Sequence, residues 1–265
     1  MSTENREMMP PATARHAITR VRHELRRRTL AVRRVERVTP GMLRLHLAGA
    51  DLQGFTSLGP DDHVKLFLPG EDGAIERRDY TPRRYDPEAG ELAIDFALHG
   101  PGAHPAGPAT RWALNAKPGY TLEIGGPRGS LVVANDFDWW LLIGDETALP
   151  AIGRRLEELP AGTRVTTIVA VADPSDEQRF ATVADHRPIW IHRPASAADD
   201  PAPVLAALDA LPWPSGDGYV WIAAEAGVAR AVRSRVQAAG HPAAWLRASG
   251  YWKRGVADAH ETIEG

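Results

Sequence analysis

Residues 138–143 read Asp138-Trp139-Trp140-Leu141-Leu142-Ile143, and at this stretch the pattern of the whole chain changes. Five apolar residues in a row predict a strand that is buried on both faces, as in a parallel sheet. Similar apolar runs follow at residues 165–171, 189–191 and 220–222, and helical periodicity separates them. Alternating strands and helices of this kind predict a doubly wound parallel α/β domain with about five strands.

Before this stretch the dominant period of the apolar residues is two. Large apolar side chains recur at every second position at residues 43–47, 64–68 and 92–98, and Pro-Gly or Asp-Pro turns separate these runs. Short alternating strands predict an antiparallel sheet or small barrel with one face in water. The expected organisation is a flexible N-terminal tail at 1–25, an antiparallel β-barrel at 26–135 and the parallel α/β domain at 136–265.

The composition of the 265-residue chain excludes several classes of protein. A formal net charge of −3 argues against a whole-chain binder of nucleic acid or membrane surfaces. The absence of cysteine excludes disulfides, thiolate nucleophiles and cysteine-ligated iron–sulfur clusters. No apolar run approaches the ~20 residues of a transmembrane helix. The first 14 residues are polar and contain no apolar signal core, so we expect a cytoplasmic protein.

Metal-dependent and hydrolytic chemistry find no support in the sequence. The histidine pairs His99/His104 and His186/His192 lack the i,i+4 spacing of a zinc pair on a helix, and no carboxylate cluster completes a site. No Gly-x-Ser-x-Gly motif of a serine hydrolase occurs. We therefore expect no metal ligands.

The segment Arg78-Asp79-Tyr80-Thr81-Pro82-Arg83 is the sharpest local signal. In a strand, Arg78 and Tyr80 project from the same face, and Thr81 projects from the other face unless the strand bends at Pro82. A guanidinium can grip a pyrophosphate, and a tyrosine ring can pack on a flat heteroaromatic group. An exposed edge strand explains the same residues equally well.

A second segment runs from the strand Asp95–Leu98 to His99-Gly100, and Gly107-Pro108-Ala109-Thr110 follows where a helix is expected to begin. The free backbone N–H groups of a helix start suit a phosphate. Thr110 could add a hydroxyl to such a site or serve as the N-cap of the helix. His99 could lie beside a ring system, but a structural role is the better explanation of a lone histidine at a strand end.

These segments, with Gly126-Pro127-Arg128-Gly129-Ser130, residues 144–151 and residues 250–255, resemble the siderophore-interacting protein family. The matches follow the family's order from about residue 29 to residue 256. The resemblance implies a ferredoxin-reductase-like flavoprotein with FAD on the barrel and NADH or NADPH as electron donor. It also implies that the substrate is a ferric siderophore, which the protein reduces.

The resemblance also implies roles for individual residues. The positions matched to cofactor binding are Arg78, Tyr80, Thr81, Arg83, Asp95, His99, Gly107, Ala109, Thr110 and Thr147. The positions matched to binding of an anionic siderophore are Lys65, Arg128 and Lys253. No side chain is expected to act as a catalytic acid or base, because hydride transfer does not require one.

Two features leave alternatives open. Asp145 and Glu146 stand where related reductases keep a Gly-rich nicotinamide turn, and their charge favours NADH because it would repel an additional phosphate. Arginines such as Arg154 and Arg155 could reverse this preference. The electron acceptor could differ, as in an NAD(P)H:flavin reductase or a ferredoxin-linked reductase, and ferredoxin could be the donor. A flavin-containing protein that binds siderophores without turnover is the alternative from another class.

Overall fold

A computed structural model describes residues 15–70, 73–98, 107–256, 259 and 261–263. The strands are β1 Ile18–Arg22, β2 Arg27–Thr39, β3 Met42–Ala48, β4 Val64–Pro69, β5 Ile75–Tyr80, β6 Pro82–Asp86, β7 Glu91–Ala97, β8 Thr121–Gly125, β9 Gly129–Val133, β10 Trp139–Asp145, β11 Arg164–Val171, β12 Asp185–His192, β13 Gly218–Glu225, β14 Leu246–Trp252 and β15 Glu261–Thr262. The helices are α1 Pro108–Asn115, α2 Leu149–Glu158, α3 Ala202–Asp209 and α4 Ala226–Ala238. No helix among these described residues is long and apolar enough to cross a membrane.

Seven strands of the first half form an antiparallel half-barrel, in the order β5-β4-β8-β2-β3-β7-β6. The alternation on β4 shows how the sheet is built: Val64, Leu66 and Leu68 are at most 1% exposed, whereas the side chain of Lys65 is 31% exposed. Apolar side chains from all seven strands meet in one enclosed core. The antiparallel architecture predicted from the period of two is therefore confirmed.

The second half forms a six-stranded sheet in the order β12-β11-β10-β13-β14-β15. The five strands β10 to β14 pair in parallel, and the short β15 joins the edge antiparallel. Trp140 and Leu142 of β10 belong to the core that contains residues of α2, while Trp139 and Leu141 belong to the core that contains residues of α3 and α4. The predicted doubly wound sheet is confirmed, but its edge strand β12 is not buried on both faces, because every residue of β12 is at least partly exposed.

The N-terminal strand β1 departs from the expectation. Ile18 to Arg22 pair antiparallel with β9, from Val133 to Gly129, so the prediction of a flexible tail at 1–25 is wrong for these residues. Four of the five residues of β1 are exposed, so no apolar alternation marks this strand in the sequence. It is held by backbone hydrogen bonds, which any side chain allows. Residues 1–14 lie outside the described part of the chain.

The half-barrel and α2 are joined by arginine side chains. Arg83 of β6 binds Glu157 of α2 through Nη1 at 2.8 Å and Nη2 at 2.5 Å. Arg154 of α2 donates to the hydroxyl of Ser57 at 2.7 Å and to the carbonyl of Pro82 at 3.1 Å. These contacts hold α2, which follows β10 in the parallel sheet, against β6 and the loop before β4.

Candidate functional site

A cavity of about 270 Å³ lies between the half-barrel and the carboxyl ends of the parallel strands. Its wall is formed by the end of β5, the start of α1, the residues after β10 and the end of β14. In the strand order, β11 lies next to β10 on one side and β13 lies next to β10 on the other, so the strand order reverses at β10. Ligands of open α/β sheets bind at the carboxyl ends beside such a reversal of strand order, so the position suits a binding site.

Most of the residues matched to cofactor binding line this cavity. The lining includes Arg78, Tyr80, Thr81, Asp95, Gly107, Ala109, Thr110 and Thr147, together with Lys253. Arg83 does not line it, and His99 lies outside the described residues. The structure thus brings together residues that are up to 175 positions apart, from Arg78 to Lys253.

Tyr80 and Thr81 lie at the junction of two strands. β5 ends at Tyr80 and β6 begins at Pro82, so the chain changes direction at Thr81 as the proline predicts, and both residues line the cavity. The Tyr80 ring packs on Phe96 with 4.5 Å between the ring centroids. Burial raises the pKa of Tyr80, so its phenol stays protonated in neutral solution. The junction offers a flat ring beside a hydroxyl that is largely removed from water.

The helix start offers donors for an anion. Gly107 is the N-cap of α1, Pro108 is its first residue, and no side chain caps the helix. The alternative that Thr110 is the N-cap is therefore wrong, because Thr110 is the third helical residue. Pro108 has no N–H, so the first-turn N–H groups at the cavity belong to Ala109 and Thr110. This arrangement suits a phosphate group.

Arg78 lies on the same cavity. Its Nη1 donates to Glu76 Oε2 at 3.0 Å and to the carbonyl of Arg77 at 2.6 Å, and its side chain is 21% exposed. A guanidinium and a helix N-terminus on one cavity match a diphosphate, and Tyr80 with Thr81 matches a planar heteroaromatic group with polar edges. The residues present therefore fit a flavin dinucleotide.

Asp95 lines the cavity, and two arginine side chains lie beside it. Asp95 is 3% exposed and accepts from Arg44 Nε at 2.6 Å and from Arg44 Nη2 at 2.8 Å. The hydrogen bonds to Asp95 raise the pKa of Arg44. Arg83 Nε lies 3.9 Å from Asp95 Oδ2, but both Nη groups of Arg83 donate to Glu157. These hydrogen bonds direct the Arg83 guanidinium toward α2 and away from the cavity. Arg83 thus contacts α2, and its contact with the cofactor stays a prediction.

Asp145 joins three strand ends at the edge of the cavity. It is 2% exposed, and its Oδ1 accepts from the backbone N of Thr147 at 2.9 Å and from the Thr147 hydroxyl at 2.5 Å. Its Oδ2 accepts from the backbone N of Glu225 at 3.1 Å and from Trp252 Nε1 at 2.9 Å. The carboxylate thus ties β10 to β13 and β14, and it holds Thr147 in place.

Glu146 lines the cavity and pairs with Arg193, whose Nη2 donates to Glu146 Oε2 at 2.9 Å. Burial is the main cause that raises the pKa of Glu146 to about 7, and the charge of Asp145 adds to it. The charge of Arg193 opposes this shift. A carboxyl group that titrates near neutrality therefore lies where the nicotinamide turn is expected.

The three residues matched to substrate binding occupy two adjoining cavities. Lys253 lines the first, and Lys65 and Arg128 line a second cavity of about 260 Å³ that shares His63 and Asp79 with the first. Lys65 Nζ lies 3.0 Å from Asp79 Oδ1. The second cavity is also lined by Arg26, Arg27, Phe67 and Leu25, so cationic groups surround an apolar floor.

Sequence reasoning did not assign His63, Asp79, Tyr251 or Trp252 to the site, although all four line the cavity. Asp79, Tyr251 and Trp252 lie inside motifs that carried the resemblance, so those motifs could have indicated them. Tyr251 donates to Asp61 Oδ1 at 2.5 Å and lies beside Thr81. His63 precedes β4 and belongs to none of the motifs, so no sequence signal points to it.

An antiparallel half-barrel and a parallel sheet around one cavity define the ferredoxin-reductase-like fold of FAD- and NAD-binding proteins. The sequence model of the siderophore-interacting protein family matches residues 137–255, and that of the siderophore-interacting FAD-binding domain matches residues 31–77 and 71–131. The chain belongs to the siderophore-interacting protein family.

Individual relatives agree with this assignment. The NADPH-dependent ferric-chelate reductase of Escherichia coli K12 is 37% identical over 88% of this chain and 95% of its own. The ferric vibriobactin reductase of Vibrio cholerae serotype O1 is 32% identical over 68% of this chain and 70% of its own. The crystal structure of a siderophore utilization protein from T. fusca has a TM-score of 0.83 and 35% identity, and the match covers 92% of this chain and 98% of that one.

Proposed function

We propose that this protein is an FAD-dependent ferric-siderophore reductase that receives electrons from NADH or NADPH. The observation that carries the proposal is the cavity at which Arg78, Tyr80 and Thr81 face the carboxyl edge of the parallel sheet, with a cationic cavity beside it. The names of the E. coli and V. cholerae relatives, a ferric-chelate reductase and a ferric vibriobactin reductase, support the reaction.

The residues of the half-barrel would hold the flavin. Arg78 and the N–H groups of Ala109 and Thr110 would bind the diphosphate, and Gly107 would leave room for it. Tyr80 would pack on the isoalloxazine, and Thr81 would hydrogen-bond its edge. FAD, when bound, accepts two electrons as a hydride and releases them one at a time to Fe(III). Asp95 would keep its part of the cavity wall in position through its hydrogen bonds with Arg44.

The end of β10 would receive the nicotinamide nucleotide beside Thr147. Glu146 faces this end of the cavity, and its charge opposes an additional phosphate, which favours NADH over NADPH. The partnership with Arg193 reduces that opposition, so both nucleotides belong in the test. Ferredoxin is the alternative donor. The need for reduced nicotinamide nucleotide supports a cytoplasmic location for the protein.

The basic residues would bind the substrate. Lys253 at the flavin cavity, with Lys65 and Arg128 in the adjoining one, would attract an anionic chelate. The iron would arrive with its own oxygen ligands, so the protein would need no iron ligand. Hard oxygen donors hold Fe(III) more tightly than Fe(II), and reduction would therefore loosen the metal.

Absorption spectra under anaerobic conditions test the proposal. NADH or NADPH should bleach the flavin bands of the purified protein, and a ferric catecholate or hydroxamate siderophore should then restore them faster than iron-free siderophore does. Bleaching without faster recovery would contradict the acceptor and favour a reductase with another acceptor. If neither nucleotide bleaches the bands but reduced ferredoxin does, the nicotinamide donor is wrong. Siderophore binding without any bleaching would indicate a binding protein.

A further inference from the structure

A third cavity, of about 220 Å³, adjoins the one that contains Lys65 and Arg128. It is lined by Arg22, His23, Glu24, Arg26 and Arg28, with backbone from the Gly126-Pro127 turn, and we call it the arginine cavity. It shares Arg26 and Gly126 with the second cavity, which contains Lys65 and Arg128. That second cavity shares His63 and Asp79 with the first cavity, where the flavin would lie, and we call the first one the flavin cavity. The second cavity thus adjoins both of the others through shared lining residues.

Arg28 at the base of this cavity is a buried cation without a counter-ion. Its guanidinium donates to the carbonyl oxygens of Gly126 at 3.1 Å and of Arg26 and Gly54 at 3.4 Å each, and it lies over the Phe55 ring, 5.3 Å from the ring centroid. The residue is 4% exposed, and its Nε is buried with no hydrogen-bond partner. No carboxylate among the residues that the structure describes forms an ion pair with it. A charge held in this way is costly, and a bound anion would offset that cost.

Two exposed arginines at the rim of the cavity, Arg22 and Arg26, can bind an anion. Arg22 is exposed and forms no ion pair with any residue in the described ranges. Arg26 pairs with Glu24 at 3.2 Å, but both side chains are more than half exposed, at 55% and 75%. Exposed pairs of this kind contribute little, so an incoming anion can compete with Glu24 for Arg26.

We infer that the arginine cavity is a second anion subsite, which binds a distal carboxylate or comparable anionic arm of the ferric chelate whose iron lies at the flavin cavity. The inference rests on the proposed function, because it assumes that a chelate occupies the first two cavities. Its consequence is selectivity: chelates that carry free anionic groups gain a contact that cationic chelates cannot make.

Gallium(III) complexes test the subsite on the full FAD-loaded protein, because they bind like ferric complexes and are not reduced. The variant carries Arg22→Gln and Arg26→Gln, and the matched control carries Arg179→Gln and Arg187→Gln, two exposed arginines that line none of the three cavities. The probes are gallium citrate, which carries free anionic groups, and gallium desferrioxamine B, which is cationic. Calorimetry or flavin fluorescence reports the dissociation constant.

The Arg22/Arg26 variant should bind gallium citrate about tenfold more weakly, with a smaller dependence on salt, and should bind gallium desferrioxamine B unchanged. Glu24→Gln should tighten gallium citrate binding, because it frees Arg26. An equal loss in the control variant, or no loss in either variant, would overturn the subsite. If the Arg22/Arg26 variant instead loses affinity for NADPH, the cavity binds a nucleotide phosphate and the inference is wrong. Failure of the proposed function is distinguishable, since ferric citrate would then not reoxidise the reduced wild-type flavin.

Discussion

Lys65, Arg128 and Lys253 differ from most basic residues of this arginine-rich chain because all three line the two cavities where a chelate would lie. Replacing all three with Glu should raise the dissociation constant of an anionic ferric siderophore at least about tenfold through charge repulsion. Flavin content, read from the absorption of the purified variant, should remain. Lys117→Glu is the matched control, since Lys117 is exposed and lines neither cavity. Unchanged affinity in the triple variant would contradict the role of these cations.

The raised pKa of Glu146 predicts how the free energy of unfolding depends on pH. Its pKa in the folded protein lies near 7, above its ordinary value of 4.5, because burial disfavours the charged form. Its contribution to stability is therefore fully present below pH 4.5 and is lost as the pH rises through 7. Glu146→Gln should remove this loss, so the variant should gain stability relative to wild type across this range. Denaturant unfolding at several pH values measures it.

The control for this experiment is Glu88→Gln, which changes an exposed carboxylate on a turn. Its free energy of unfolding should follow that of the wild type at every pH. A wild-type profile that runs parallel to that of Glu146→Gln from pH 4.5 to 7 would show that Glu146 does not titrate in this window.

For single residues, the spacing in the sequence predicts where a side chain points when that direction depends only on its own strand. The alternation on β4 predicts that Lys65 points away from the core, and it does. The fate of Arg83 could not be predicted, because its partner Glu157 is 74 positions away on another element. The same holds for Asp145, whose four donors come from three separate segments.

At the scale of elements, the loop before β4 is joined to β14 by Asp61. This carboxylate accepts from Arg247 Nε at 2.6 Å and from the Tyr251 hydroxyl at 2.5 Å. Asp61→Ala should lower the free energy of unfolding by about 2–3 kcal/mol, because it leaves a largely buried guanidinium without its partner. The variant should also weaken flavin retention, since Tyr251 lines the flavin cavity. Chemical denaturation and flavin absorption measure the two effects.

Asp209→Ala is the matched control for Asp61→Ala, because it also removes an aspartate from an ion pair with arginine. Asp209 and its partner Arg235 are exposed, at 49% and 45% of their side chains. The loss there should stay below about 1 kcal/mol. Equal losses in the two variants would contradict the structural importance of the contact between the loop and β14.

The period of the apolar residues was enough to predict both sheets, because each period follows from how many faces of a strand are buried. The runs that begin at Trp139 and Val165 become parallel strands buried on both faces, and the alternating run at Leu92 becomes β7. β1 could not be predicted in this way, since its exposed residues carry no period. The start of α1 was expected, but its N-cap is Gly107 and not Thr110.

At the scale of the whole molecule, the site exists only because the two halves of the chain meet. The half-barrel supplies Arg78, Tyr80 and Thr81, and the parallel sheet supplies Thr147 and the end of β14. The chain contains no cysteine, so neither an iron–sulfur cluster with cysteine ligands nor a reactive thiol can relay electrons. In this account a non-covalent flavin is the redox centre, and the iron brings its own ligands.

The stoichiometry of a single anaerobic turnover tests this account most directly. Protein whose flavin has been reduced by one equivalent of NADH or NADPH is mixed with excess ferric siderophore, and an Fe(II)-specific chromophore counts the iron released while the flavin bands are followed. Since a hydride carries two electrons and each Fe(III) accepts one, we expect two Fe(II) for each flavin reoxidised. Flavin reoxidation without Fe(II), or reduced flavin that persists in the presence of the siderophore, would contradict the account.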